Sequence, residues 1–330
     1  MMKLRSIYIL LMLLLSGAVW SKTELKAKGP LHIVGQTPLQ TLRLDIVPTR
    51  ANLLETGHIE ISLFNSWTNR WNETENYLLD VEVIQNIFEI AAGIRGNTEV
   101  GIFVPVLTRI GGRLDQFITR FHNQIGLGQS GRNQYPQNSI SLSFVDDDSG
   151  ERIVILDESD KEIVLGDISL FSRHKIYDGD GWFNSLTVTS LLRFPVSNAR
   201  DYYGSGGVDG AFSISGLYTV NPIYIYSTIG YGVYGSGSLY GIDLRPYQWT
   251  FFAAVEWPVS KSLSFVIQQL SNSGTSRNFG EFSKPTHELV FGAKQQISSR
   301  ILLEYSLMEN MYIFDNSIDF GINMGITYSP

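Results

Sequence analysis

The stretch Tyr247-Gln248-Trp249-Thr250-Phe251-Phe252-Ala253-Ala254-Val255-Glu256-Trp257 carries two chemistries in alternation. Tyr247, Trp249, Phe251, Ala253, Val255 and Trp257 make one row, and Gln248, Thr250, Phe252, Ala254 and Glu256 make the other. Successive side chains of a strand point to opposite faces, so a period of two marks a strand whose faces meet different surroundings. The end of the chain repeats the pattern: Ile318, Phe320, Ile322, Met324, Ile326 and Tyr328 alternate with Asp319, Gly321, Asn323, Gly325 and Thr327. Leu263, Phe265 and Ile267, then Leu289, Phe291 and Ala293, then Ile301, Leu303, Tyr305 and Leu307 form further apolar rows. None of these rows holds a charge, whereas the interleaved rows hold Glu256, Glu288, Lys294, Glu304 and Asp319. A charge facing mid-bilayer hydrocarbon costs roughly 2–4 kcal/mol in a membrane barrel, and selection against that cost leaves this distribution.

A secreted β-sandwich also alternates. Two features favour a membrane wall instead. The second row is rich in Gly, Ser, Thr, Asn and Gln, as a wet lumen would be, and aromatics gather near strand ends at Trp249, Trp257, Tyr305, Tyr312 and Tyr328, where interfacial girdles sit. Connections alternate too. Short ones lie near 96–99, 221–222, 258–262 and 296–299, and long ones at 68–76, 110–138, 198–208, 235–246 and 271–285. Short periplasmic turns and long external loops produce that alternation. Strands are placed at 58–67, 77–94, 99–107, 163–174, 183–195, 209–219, 223–234, 247–257, 263–270, 287–296, 300–309 and 317–328. The fold expected is an all-β transmembrane antiparallel barrel of about twelve strands, with ten to fourteen allowed, and one short loop helix. The segment from Ile84 to Ile90 shifts phase.

The first residues set the compartment. Lys3 and Arg5 precede an apolar core from Ile7 to Leu15, and Ser16-Gly17-Ala18 or Val19-Trp20-Ser21 offers a small-residue cleavage site. That is the layout of a secretory signal peptide, and the core is shorter than the about 20 residues of a membrane helix. Residues 1–21 are read as signal, 22–57 as a lumenal plug or periplasmic segment, and 58–330 as barrel, placing the protein in the outer membrane of a Gram-negative bacterium. The net charge of −7 gives nucleic-acid binding no electrostatic support. The chain has no Cys, which removes disulfides and thiolate chemistry, and its five His lack ligand spacing, so no metal or cofactor is expected. The partners expected are outer-membrane lipids, lipopolysaccharide and the barrel assembly machinery.

Three segments are not wall. Residues 22–57 show little periodicity around Gly29-Pro30-Leu31 and Gln36-Thr37-Pro38-Leu39-Gln40. In the loop after Ile110, Leu114, Phe117, Ile118, Phe121 and Ile125 share one face of a short helix. That helix either caps the barrel mouth or gates it and binds an amphiphile, with Phe117, Phe121 and His122 as gate candidates. Ser139 to Asp157 reads as an external hairpin turning at Asp146-Asp147-Asp148-Ser149-Gly150; its carboxylates, with Glu158 and Asp160, either hold Ca²⁺ or form a solvated acidic tip.

The order of these segments resembles a bacterial outer-membrane barrel family of unknown function. The matching elements are Gly29-Pro30-Leu31 with Gln36 to Gln40; Asp115-Gln116-Phe117-Ile118 with Phe121-His122 and Gly126-Leu127; Arg132 to Pro136 with Asn138; Phe194-Pro195 with Tyr203-Gly204-Ser205-Gly206 and Asp209; and Glu309-Asn310. Gln36-Thr37-Pro38 departs from the family's Asn-Gln-rich version. The resemblance implies a barrel and no assigned chemistry. The last strand also resembles the assembly-machinery signal, although its terminal aromatic, Tyr328, stands third from the end.

Two functional classes remain. The first is a channel or carrier for small solutes or amphiphiles, or a closed structural barrel. Inward Arg193, Glu256, Lys294 and Glu304 then set selectivity or pair to shut the lumen. The second is a lipid hydrolase. Gln269-Leu270-Ser271-Asn272 resembles the His-x-Ser-Asn of lipid A deacylases and outer-membrane phospholipases, but Gln269 stands where the base belongs. An amide cannot take the hydroxyl proton. His287, on the neighbouring strand, could approach Ser271 across the barrel rim, since neighbouring strands lie about 4.8 Å apart, but the sequence does not imply the contact.

Overall fold

In the computed structural model, residues 25–50, 52–75, 77–125, 131–145, 151–157, 163–197, 204–239, 241–309, 318 and 320–330 are described. The signal-peptide reading, the Asp146–Gly150 turn, Glu158, Asp160, Tyr312 and Asp319 lie outside them, as do the side chains of Phe121 and His122.

Among the described residues twelve strands close into one antiparallel barrel. They are β1 (Ile59–Glu73), β2 (Tyr77–Ile94), β3 (Thr98–Ile110), β4 (Ile168–Asp178), β5 (Phe183–Phe194), β6 (Asp209–Val220), β7 (Ile223–Val233), β8 (Tyr247–Pro258), β9 (Leu263–Asn272), β10 (Thr286–Ser298), β11 (Ile301–Glu309) and β12 (Phe320–Tyr328). Each pairs with its sequence neighbours. The ring closes where β1 meets β12, from Ile61↔Tyr328 to Asn69↔Phe320. Closure leaves no edge strand in the wall, so its ladders satisfy the backbone without water, as hydrocarbon requires. No helix among the described residues is long and apolar enough to cross a membrane.

The uncharged rows face outward. Phe251, Val255, Phe265, Ile267, Leu307, Met324 and Ile326 are all exposed. Aromatic pairs mark both ends of this band: Trp182 stacks on Tyr218 at 5.7 Å beside the short 179–182 turn, and Tyr231 stacks on Tyr247 at 5.9 Å toward the long loops.

Two expected boundaries change. The long loop expected at 68–76 is largely strand: β1 continues to Glu73, and Thr74 turns the chain through Thr74 N–H to the Tyr77 carbonyl at 2.9 Å. Its polar residues are not loop residues, because Asn69 finds partners against the outer wall. The segment 163–174 divides at Gly166-Asp167 into Ile163–Leu165 and β4, both paired with β3. Ser141–Val145 and Arg152–Leu156 form an external hairpin that extends the sheet from the start of β2.

The helix α1 (Asp115–Ile125) does not lie across the mouth. Leu114 and Ile118 pack on Phe320, Trp67 and Ile322, in the same outward rows of β1 and β12 that carry Ile61 and Met324. The outer wall offers it an apolar seat there, while the interior is already filled.

Candidate functional site

What fills the interior is the chain's own N-terminal segment. Residues 28–36 rise beside β8 to β11 from the end bearing the short turns. Gln40–Leu42 make a 3-10 turn near the external loops, and residues 44–57 descend beside β6, β7 and β1 to β3. An irregular segment inside a barrel must satisfy its backbone N–H groups without a sheet ladder. Inward side chains of the wall do this. Glu256 accepts from the N–H groups of Lys28 (2.8 Å) and Gly29 (3.1 Å), and from the Tyr226 hydroxyl (2.6 Å). Glu304 accepts from His32 N–H at 2.8 Å and Glu288 from Gln36 N–H at 2.8 Å. Asp209 accepts from Leu44 N–H at 3.0 Å and Glu99 from Leu54 N–H at 3.0 Å. Gln268 uses both ends of its amide, accepting from Leu31 N–H (2.9 Å) and donating to the Leu31 carbonyl (3.1 Å).

Apolar contacts seal the gaps between these bonds. Leu31 and Ile33 pack on Phe252, Val266, Leu270, Val290 and Met308, which all occupy inward rows. Val34, Leu44 and Val47 pack on Phe64, Ile87 and Phe103. The inward face is therefore not the wet, small-residue lining that the alternation suggested. It carries apolar patches because a peptide, not water, lies against it. The same fact explains the phase shift near Ile84–Ile90: Ile84, Phe88 and Ile90 face outward, while Val83 and Ile87 face the inserted segment.

Several of the inward charges are consumed in pairs. Lys294 bonds Glu304 at 3.0 Å and donates to the Pro30 carbonyl at 2.7 Å; Arg193 bonds Asp167 at 3.0 Å. Arg50 of the inserted segment bonds Glu60 at 2.7 Å and Glu99 at 3.6 Å, and Arg173 reaches Glu99 at 2.5 Å. Arg193, Glu256, Lys294 and Glu304 are all buried, each with a partner, and they are spread around the interior rather than gathered at one constriction. Asp167, Asp209, Glu99 and Arg173 share this role and were missed by sequence. Their inward parity was readable, but nothing in the pattern named a partner.

Among the titratable groups of the inserted segment, outside the strands that cross the membrane, His32 and Asp45 are displaced by burial toward their uncharged forms. Burial, reinforced by Arg173 and Lys294, lowers His32 to about 3, and its ring stacks on Phe64 with centroids 3.7 Å apart. Burial raises Asp45 to about 6, although the N–H groups of Gly35 and Ile46 donate to it. Through Gly35, Asp45 ties the rising limb to the descending one. Beside the segment remain a cavity of about 60 Å³ near Asp45, Arg43 and Arg193 and one of about 70 Å³ near His32, Arg50 and Lys294. Each has room for a few waters.

On the outside, Ser271 and His287 stand opposite each other in the β9–β10 register, and Ser271 Oγ lies 2.9 Å from His287 Nδ1. Both share the outward parity of Ile267 and Phe291. Gln269 Nε2 donates to Ser271 Oγ at 3.3 Å, and Ser271 is 4% exposed. Of the gate candidates, Phe117 is half exposed on α1 and its ring meets Phe320 at 5.2 Å. Among the described residues no group of three His, Asp or Glu could hold a metal.

The barrel fold has solved counterparts. The crystal structure of the COG4313 outer membrane channel from Pseudomonas putida F1 superposes with a TM-score of 0.55 at 11% identity, covering 86% of this chain and 100% of its own. The NanC porin (TM-score 0.46, 10% identity, 82% and 98% covered) and the KdgM porin with disordered oligogalacturonate (0.42, 7%, 82% and 99%) are looser. At such identities the likeness is one of fold, that of an outer-membrane β-barrel. No curated protein sequence matches the chain. The barrel family that the short motifs resemble is nevertheless identified by sequence: residues 6–329 match the family described as "Protein of unknown function (DUF3187)", and the chain belongs to it.

Proposed function

We propose that the protein is an outer-membrane channel or carrier for small solutes or amphiphiles, held shut by its own residues 25–57. One observation carries this reading. A barrel of eight strands is filled by its own side chains, and a larger one encloses space. Here that space is occupied by an irregular segment held by hydrogen bonds, the ion pairs of Arg50 and side-chain packing, with no sheet ladder to the wall. Bonds of a backbone N–H to a carboxylate contribute about 1.5–3 kcal/mol each, and water or a solute can replace them. Closure of this kind is reversible.

Planar-bilayer recording of the full chain and of a variant lacking residues 25–57 tests it. The full chain is expected to stay mostly closed and the shortened barrel to conduct in steady steps. A shortened barrel that is folded by heat-modifiable gel mobility yet conducts nothing would overturn the reading.

A lipid-hydrolase reading keeps one supporting observation, the Ser271–His287 contact of 2.9 Å on the outward rim. Ser271→Ala separates the two: loss of a measurable phospholipid or lipid A deacylation supports it, and unchanged hydrolysis removes it.

A further inference from the structure

The outer wall carries a second surface that the channel reading does not use. The helix α1 is bolted to the barrel by a buried polar cluster. Glu82 accepts from Trp67 Nε1 (2.9 Å), Asn69 Nδ2 (3.2 Å) and Leu114 N–H (2.5 Å). Asp115 accepts from Asn69 Nδ2 (2.9 Å) and Asn138 N–H (2.9 Å) and pairs with Arg132 at 3.3 Å. The two acidic groups beneath the helix, Glu82 and Asp115, are therefore buried and spent. Its exposed face carries Arg113 just ahead of the helix, then Gln116, Phe117, Arg120 and Gln124. Gln116, Phe117, Arg120 and Gln124 share one side by helical geometry. That face holds two cations, no anion and one half-exposed aromatic ring. Neither Arg113 nor Arg120 has a hydrogen bond or ion pair among the described residues.

The height of this face on the wall identifies what meets it. Phe117 rests on Phe320, the uppermost residue of the outward row in which Met324 and Ile326 are exposed to hydrocarbon. The helix thus begins where the apolar band ends, at the level of headgroups in the outer leaflet. A helix with aromatic and cationic residues lying in the interfacial plane binds anionic lipid, burying the ring at the acyl boundary and pairing its cations with phosphate. The overall charge of −7 makes two unpartnered arginines here more telling, since the chain as a whole repels anions.

We propose that α1 is a docking site for a phosphorylated lipid headgroup of the outer leaflet, with Arg113 and Arg120 pairing to its phosphates and Phe117 inserting beside its acyl chains. The occupant is the glycolipid of that leaflet, diphosphoryl lipid A, rather than free phosphate. The inference needs the protein to be an outer-membrane barrel but not that its lumen opens.

Native mass spectrometry of the full chain folded in detergent, titrated with diphosphoryl lipid A, tests it. Retention of lipid A is expected, with roughly a thirtyfold weaker apparent affinity in the Arg113→Gln/Arg120→Gln double variant, since each cation near an anionic surface is worth about 1 kcal/mol. Lys261→Gln removes the same kind of charge from a short turn at the opposite end and is expected to change nothing. Dephosphorylated lipid A is expected to bind more weakly than the diphosphoryl form, and excess inorganic phosphate to displace little of it. Equal binding by the double variant and the parent, or equal retention of dephosphorylated lipid, would overturn the proposal. Displacement by inorganic phosphate alone would overturn the lipid assignment. Heat-modifiable mobility of the double variant confirms that the barrel remains folded; Arg113→Lys/Arg120→Lys, expected to restore most of the binding, serves if it does not.

Discussion

The β8–β9 hairpin and the β1–β2 hairpin are built from the same alternation, yet only the first displays it openly. Along β8, Tyr247, Trp249, Phe251 and Val255 are exposed from one end to the other, and Gln248, Thr250 and Glu256 are buried opposite them. Along β1, Ile59 and Ile61 are exposed, but Asn69 and Trp71 of the same outward row are buried beneath α1 and the loop after it. On β2, Glu82 faces outward and is fully buried, while Val83 and Ile87 face inward onto the inserted segment. Period two reports which side a residue takes. It does not report what covers that side, and in the half of β1–β2 nearest α1 both sides are covered by other parts of the chain. Polar residues in an outward row, such as Asn69 and Glu82, are the mark of a covered patch.

The largest effect that probes this difference is expected inside the barrel. Lys294→Ala leaves Glu304 buried without its cation and frees the Pro30 carbonyl, and removing one partner of a buried pair costs about 3–5 kcal/mol. The midpoint of thermal unfolding in detergent should fall accordingly, and Lys294→Met/Glu304→Met should recover part of the loss. Next comes the open outer row. Phe251→Lys places a charge toward hydrocarbon and is expected to cost roughly 2–4 kcal/mol, read from folding into lipid vesicles under urea. Glu82, a carboxylate already in an outward row, imposes no such cost because α1 covers it. Glu82→Ala should instead release the helix. Trp67 Nε1 and the Leu114 N–H lose their acceptor, at about 1–3 kcal/mol each, while Asn69 keeps Asp115, so trypsin cleavage after Arg113 and Arg120 should accelerate several-fold while the barrel stays folded.

The smallest effect concerns acid. His32 is held at about 3 in the lumen and returns to 6.5 on release, so release takes up a proton and is favoured as pH falls from about 6.5 toward 3. Asp45 is held at about 6 and returns to 3.8, so seating is favoured as pH falls from about 6 toward 3.8. Replacing His32 removes the group that favours release in acid, so His32→Asn is expected to open less than the parent as pH falls from about 7 to 5. An unchanged pH response in that variant would break the link between His32 and closure.

Much of the wall was legible from residues. The uncharged rows at Phe251, Ile267 and Met324 face outward, and the strand count of twelve follows from turns and alternation. The inward charges Glu256, Lys294 and Glu304 could also be placed on the correct side. What they bind could not. Residues 28–50 have no periodicity, because an irregular segment satisfied by scattered wall carboxylates leaves no repeat to read. The position of α1 was hidden for a related reason. Its amphipathic pattern fixes an apolar face but not whether that face meets a mouth or a wall, and the deciding partners, Trp67 and Phe320, lie 47 and 202 residues from Leu114 and Ile118 respectively (114 − 67 and 320 − 118).

Amide hydrogen exchange of the folded full chain in detergent reads occupancy of the lumen most directly. The N–H groups of Gly29, Leu31, His32, Gln36 and Leu44 are each bonded to an inward wall side chain and are expected to exchange orders of magnitude more slowly than an open peptide. Exchange of all five at the rate of an unstructured chain, in a barrel whose β8 and β9 amides remain protected, would show that the segment does not sit inside.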